Sequence, residues 1–158
     1  MRWDELDQEV CSVARTLSVV GDRWTMMVIR DCFLGIRRFA DFQRSLNIAK
    51  PRLSERLNKL VEQDVLEKTL YQQQPPRYEY RLTAKGLELH PIIMAFAKWG
   101  DSWMDNGEGP PIHYQHKSCG HRTQPGEICS HCGDKITAKT LRAQPGPAFK
   151  KAIARKLE

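Results

Sequence analysis

Arg37-Arg38-Phe39-Ala40-Asp41-Phe42-Gln43-Arg44-Ser45-Leu46-Asn47-Ile48-Ala49-Lys50-Pro51-Arg52-Leu53-Ser54-Glu55-Arg56-Leu57-Asn58-Lys59-Leu60 decides the fold of this chain. It reads as two short helices joined by a tight turn at Asn47 and Ile48. The first is expected over Phe39–Leu46, presenting Phe39, Phe42 and Leu46. The second is expected over residues 50–62, with Pro51 in the first turn, where its missing N–H costs nothing. Leu53, Leu57, Leu60 and Val61 fall at offsets 0, 4, 7 and 8, so one side of this helix is apolar. Arg52, Glu55 and Lys59 lie opposite that stripe, with Arg56 at its flank. Seven Lys or Arg face two acids in the stretch, a local balance of +5. A helix pair with that asymmetry suits the major groove of DNA. An ordinary amphipathic helix with a solvated charged face would look the same, and the next segment separates the two.

Val65-Leu66-Glu67-Lys68-Thr69-Leu70-Tyr71 and Arg77-Tyr78-Glu79-Tyr80-Arg81-Leu82 both alternate apolar or aromatic residues with charges, as half-buried strands do. The loop between them, Gln72-Gln73-Gln74-Pro75-Pro76, is too long for a tight hairpin and makes a projecting tip flanked by Arg77 and Arg81. Two helices followed by such a hairpin give the winged helix-turn-helix order. The fold class is therefore mainly α with a small β-hairpin wing (α+β). The N-terminal end of a reading helix usually enters the groove. Lys50, Arg52, Ser54, Glu55 and Arg56 are thus the candidates for base and near-base contacts, since Arg can grip guanine with two hydrogen bonds. Arg37, Arg38, Arg44 and Lys59, with Arg77 and Arg81 on the wing 65–82, are candidates for DNA positioning through the backbone.

Upstream, a helix over Ser12–Val20 carries Val13, Leu17 and Val20 as one stripe, and Gly21 can end it in a left-handed cap. Asp22 can cap the next helix, residues 23–34, which places Trp24, Met27, Val28 and Leu34 on a common core side with Cys32 nearby. Downstream, Thr83 caps a long helix over residues 84–104, kinked at Pro91. Its Leu87, Ile92, Ile93, Met94, Phe96, Ala97, Trp99 and Trp103 cover too much of the circumference for one core face. The surplus calls for a second copy of the chain, and a two-fold dimer doubles the contacts over a pseudo-palindromic operator.

Cys11-Ser12-Val13-Ala14-Arg15-Thr16-Leu17, Gly21-Asp22-Arg23-Trp24-Thr25, Arg37-Arg38-Phe39-Ala40-Asp41-Phe42-Gln43 and Pro75-Pro76-Arg77-Tyr78-Glu79-Tyr80-Arg81-Leu82-Thr83-Ala84-Lys85-Gly86 occur in that order. Over residues 11–103 the chain thereby resembles the HxlR-type transcriptional regulators, relatives of the MarR group. The resemblance implies a dimeric, sequence-specific DNA-binding regulator acting on a double-stranded operator. Ser12 stands where that family usually has proline, and Lys50-Pro51-Arg52 is a more basic helix entry than is usual there. The resemblance further implies a signal: a cysteine at the place of Cys11 serves some members as a redox or electrophile switch, so an electrophile or small-molecule inducer is expected. Read on its own, Cys11 sits just before a helix, whose amides favour a thiolate. A partly buried structural thiol is the plainer alternative.

The 158 residues suffice for one domain of about 100 residues and a smaller addition. Net charge is +6, with a sequence pI near 9.2, which favours a polyanionic partner. Residues 1–35 are slightly acidic, with four bases against six acids, and the last twenty are basic, with six bases against one acid. No apolar run approaches the roughly 18 residues of a membrane span, and Met1-Arg2-Trp3-Asp4-Glu5 is no leader, so a cytoplasmic protein without membrane partners is expected. Five cysteines (11, 32, 119, 129, 132) then read as core, redox or metal thiols rather than disulfides.

Residues 11–106 form the expected DNA-binding and dimerisation domain, 107–111 a Gly/Pro linker, 112–138 a small zinc-ribbon-like extension, and 139–158 a basic, flexible or briefly helical tail that adds phosphate contacts. In the extension, His116-Lys117-Ser118-Cys119-Gly120 and Cys129-Ser130-His131-Cys132-Gly133 repeat a ligand-x-x-Cys-Gly turn. His116, Cys119, Cys129 and Cys132 can hold one structural zinc, with His121 an alternative fourth ligand. A vestigial knuckle without metal is the other reading. No βαβ pattern surrounds Cys129 and Cys132, which argues against a thioredoxin-like pair. A DNA-coating protein without sequence preference, or an enzyme using the metal or Cys11, remain alternatives. A Cys₃His set would be closed and leave no position for substrate.

Overall fold

The computed structural model describes residues 3–157. Met1 and Arg2, used in the leader reading, and Glu158, the end of the expected tail, lie outside them. Backbone proximity divides the chain into two compact units between Glu88 and Leu89.

The first unit opens with a short 3-10 helix, Trp3–Gln8, followed by α1 (Ser12–Val20), α2 (Arg23–Phe33), α3 (Phe39–Leu46) and α4 (Lys50–Glu62). Local chemistry sets these boundaries. Asp22 Oδ1 accepts from the amides of Trp24 and Thr25 at 2.9 and 3.2 Å and starts α2. Asn47 takes a left-handed conformation (φ 47°) and turns the chain from α3 into α4. Leu53, Leu57 and Leu60 are fully buried with Val28, Ile29 and Phe42, so the expected stripe of α4 is the centre of the core; Val61 is half-buried. Each such side chain contributes roughly 1.5–3 kcal/mol by leaving water.

The wing is an antiparallel hairpin of β1 (Leu66–Gln72) and β2 (Arg77–Leu82), in register from Leu66↔Leu82 to Gln72↔Arg77, with an irregularity between Leu70 and Gln72. Arg38 adds a one-residue bridge to Glu79, and the Tyr80 amide donates to the Arg37 carbonyl at 2.8 Å. The entry to α3 therefore forms a third edge on the wing.

Four local expectations need correction. Gly21 is right-handed (φ −70°), because its amide completes the last turn of α1 on the Leu17 carbonyl and Asp22 continues in extended backbone. The stripe of α1 is divided: Val20 is buried with Ala14, whereas Val13 and Leu17 are 66% and 41% exposed. On α2 the buried set is Thr25, Val28, Ile29 and Asp31, while Met27 and Leu34 are exposed. The expected helix over 84–104 breaks instead of kinking. It forms α5 (Ala84–Leu87) and α6 (His90–Trp103), with Pro91 in the first turn of α6. A proline cannot donate to the preceding turn and disfavours helix in the residue before it. Thr83 Oγ1 caps α5 at the Gly86 amide, 3.0 Å away. Only glycine fits there, since a Cβ on Gly86 would lie 2.2 Å from the Val65 carbonyl oxygen.

The second unit holds α6, a three-stranded antiparallel sheet and a last helix. The strands are β3 (Ile112–His116), β4 (Arg122–Thr123) and β5 (Leu141–Pro145), ordered β4-β3-β5, and α7 spans Pro147–Leu157. The tail, expected to be flexible or briefly helical, contributes β5 and the helix α7. Residues 141–145 pair along all of β3, from Ile112↔Pro145 to His116↔Leu141, and satisfy an edge that would otherwise carry unpaired amides and carbonyls. Among the described residues no helix is long and apolar enough to cross a membrane.

Candidate functional site

The exposed start of α4 carries Lys50, Arg52, Ser54 and Glu55 toward solvent. Among the described residues neither Lys50 nor Arg52 has an ion pair. Arg56 and Lys59 are held differently. Arg56 is 20% exposed, with Nε 3.3 Å from Asp22 Oδ1 and Nη2 3.5 Å from Glu55 Oε1. Lys59 Nζ donates to the Ser18 carbonyl at 2.7 Å, near the end of α1, where unpaired carbonyls favour a cation. Both therefore tie α4 to its neighbours. Arg44 lies 3.2 Å from Asp41 on exposed α3, and Arg37 is exposed.

On the wing, Glu79 accepts from Arg38 Nε at 3.2 Å and from Arg81 Nη2 at 3.0 Å. Arg38, then Arg81, holds the Glu79 carboxyl below the usual carboxylate range. The Arg38 guanidinium also sits 4.6 Å from the Tyr71 ring centre, and Lys68 Nζ sits 4.3 Å from that of Tyr78. Arg77 is exposed beside the tip. Lys68 and Glu79 were absent from the sequence-derived set. The signal for both was the strand alternation, which puts Lys68 on the face of Leu70 and Tyr78 and makes Glu79 the one acid between Arg77 and Arg81.

In the second unit the two knuckle turns converge. The ligand atoms of His116, Cys119, Cys129 and Cys132 all lie within 4.8 Å of one another. His116 Nδ1 is 3.4 Å from both Cys119 Sγ and Cys132 Sγ, and Cys119 Sγ is 3.8 Å from Cys129 Sγ. Zinc bonds of about 2.3 Å to sulfur and about 2.0 Å to nitrogen, at tetrahedral angles, require edges of roughly 3.8 and roughly 3.5 Å. Three of the six edges, at 3.4, 3.4 and 3.8 Å, are close to those lengths, and 3.8 Å is far beyond a disulfide bond of about 2.05 Å. Gly120 and Gly133 follow the second ligand of each turn in left-handed backbone (φ 74° and 77°), and the Gly133 amide returns to the Cys129 carbonyl at 3.0 Å. The Cys132 amide facing its sulfur, against the opposing effect of burial, draws Cys129 down to about 6. The cluster can hold a metal ion. His121 is outside it: its Nδ1 is 2.8 Å from the Cys119 carbonyl and its ring stacks on His131 at 3.4 Å.

The family model for HxlR-like helix-turn-helix proteins matches residues 19–108, more than half of the chain. The chain belongs to that family. An uncharacterized HTH-type transcriptional regulator of Mycobacterium tuberculosis is 44% identical over 143 residues, which is 90% of this chain and 90% of that protein. Two solved structures are similar. PA1607, described as a candidate transcription factor, is 33% identical with a TM-score of 0.69, covering 87% of this chain and 96% of that one. The redox regulator HypR in its reduced form is 32% identical with a TM-score of 0.57, covering 60% and 95%. The protein is accordingly an HxlR-type winged helix-turn-helix transcriptional regulator of the DNA-binding class, and not an enzyme.

Within this HxlR-type chain Cys11 is exposed and stands at the N-cap of α1, where its side chain makes no capping hydrogen bond. Cys32 differs in kind, since burial and then the adjacent Asp31 push its thiol up to about 12. It stays protonated at neutral pH and is a packing residue.

Proposed function

We propose that the protein is a homodimeric, sequence-specific regulator that reads the major groove with the first two turns of α4 and follows the flanking backbone with the wing. The observation that carries this reading is the division along α4: Lys50, Arg52, Ser54 and Glu55 face solvent, and Arg56 and Lys59 face the protein. Arg52 is the base-reading side chain, and Arg37, Arg38, Arg44, Arg77 and Arg81 with Lys68 lie along the phosphates. Arg56 and Lys59 act as struts that fix the tilt of α4. Functionally, residues 11–106 make the DNA-binding and dimerisation domain, 107–111 link, and the segment from 112 onward is an accessory module. Arg52→Ala is expected to cost about 1–3 kcal/mol on the preferred duplex and to relax base preference there. Titration of cognate and random duplexes of one length tests this, and an equal loss on both overturns it.

His116, Cys119, Cys129 and Cys132 are proposed to hold one structural zinc per chain. The converging distances support it, and a closed Cys₃His set has no open position for chemistry. Cys11 is proposed as the inlet for an oxidant or electrophile signal. Its exposure and the likeness to HypR support this reading. Modification there would displace α1 and the spacing of the two reading helices. Cys11→Ser is expected to keep operator affinity within a few fold and to remove the response to diamide or quinones in a band-shift assay, with zinc content followed in the same samples. Identical responses from both proteins, at unchanged zinc content, would make Cys11 structural.

A further inference from the structure

Residues 112–158 hold nine Lys or Arg against three Asp or Glu, whereas residues 1–111 hold sixteen of each. The entire formal charge of +6 therefore belongs to the last part of the chain. The two parts also differ in how their bases are occupied. In the winged unit five of the fourteen described bases, Arg30, Arg38, Arg44, Arg56 and Arg81, each lie against a carboxylate, and sixteen acids offset the sixteen bases of residues 1–111. In the C-terminal segment all eight described Lys and Arg side chains are exposed, and only Arg155, against Glu108, is in an ion pair among the described residues.

This charge sits on ordered backbone. Arg142 is on β5, Lys117 and Lys139 are on adjoining turns joined by Lys117 Nζ donating to the Lys139 carbonyl at 2.7 Å, and Lys150 and Lys151 are on α7. Lysine dominates, six of the nine bases. Protein–protein interfaces deplete lysine at their centre and need apolar anchors, and among the described residues of this segment the large exposed apolar side chains are Ile128, Phe149 and Ile153. Lysine is a compact, flexible point charge that pairs with phosphate from many directions.

We propose that the C-terminal module is a second DNA-binding surface, which holds duplex phosphates without reading sequence. It supplies affinity through release of condensed counterions, while α4 supplies preference. This inference goes beyond the reading helix and stands or falls separately from it.

The test is the full-length chain with Lys139→Gln, Arg142→Gln, Lys150→Gln and Lys151→Gln together, measured on cognate and random duplexes across a salt series. Each lost phosphate contact lowers the slope of log K against log salt by about 0.9, so the slope should fall by roughly 3 to 4 per chain. Affinity should drop by one common factor on both duplexes, with base preference kept. Arg52→Ala gives the opposite pattern if the reading helix is correctly assigned. A second variant, Lys150→Gln with Lys151→Gln, lies on exposed α7 and is expected to lose about half as much slope if the larger one is poorly folded. Wild-type slopes and affinities in variants of wild-type helix content overturn the proposal. So does retained DNA binding with lost binding to an acidic protein, which would assign the surface to that protein.

Discussion

Glutamate in place of Phe96 or Trp103 is expected to turn the protein into a monomer and to lower operator affinity by about 100-fold or more. Phe96, Trp99 and Trp103 on α6 are 65%, 60% and 77% exposed in the single chain, an unusual fate for aromatic side chains. Each contributes roughly 2–3 kcal/mol when covered. Val13 and Leu17 on α1 are exposed in the same way, so both helices present apolar surface that one chain leaves open. A carboxylate at the centre of such a contact loses its water without gaining a partner, at a cost of several kcal/mol. The effect on DNA is larger than the effect on either half-site, because two linked reading heads bind the second half-site at an effective concentration that raises avidity 10²- to 10⁴-fold. Sedimentation with and without the substitution, at constant helix content, decides it. A wild-type protein that already sediments as a monomer rules out the dimer.

Loss of the proposed zinc is expected to unfold the C-terminal module and leave the winged unit intact. Among the described side chains of residues 112–155 the buried apolar ones are Tyr114, Cys129, Ile136 and Leu141, with Pro125, and β4 is only two residues long. So small a core does not hold a segment of this size by itself. Zinc in peptide-sized structural sites contributes about 10 kcal/mol or more to folding at neutral pH. Cys129→Ser with Cys132→Ser should therefore release the zinc and open residues 112–145 to protease, whereas the winged core around Val28, Ile29, Leu53, Leu57 and Leu60 should stay protected. Elemental analysis of protein purified without a histidine tag is expected to find one zinc per chain. Substoichiometric metal, with protease sensitivity unchanged by a chelator, would make the cluster vestigial.

The amino-acid sequence by itself determined α1 to α4, the wing and the ligand-x-x-Cys-Gly turns. Each depends on residues within a few positions: an apolar period, Asp22 capping α2, Pro51 opening α4, Gly120 and Gly133 turning the knuckles. Family membership was legible for the same reason, since its four motifs are local.

What only the tertiary structure decided concerns partners distant along the chain. A stripe on α1 says that a face is apolar, not what covers it, and Val13 and Leu17 proved to be uncovered. The sequence marks Arg56 for base contacts and Lys59 for phosphate contacts, and only the packing of α4 gives them partners more than thirty residues earlier, Asp22 and the Ser18 carbonyl. The sequence favours His116 by its ligand-x-x-Cys spacing but leaves His121, two residues after Cys119, as an alternative. The pairing of β3 with β5 places His116 in the interior beside three sulfurs, while His121 stacks on His131 at the surface. Residues 141–145 read as tail because their order comes from the free edge of β3, a requirement that exists only once β3 has formed.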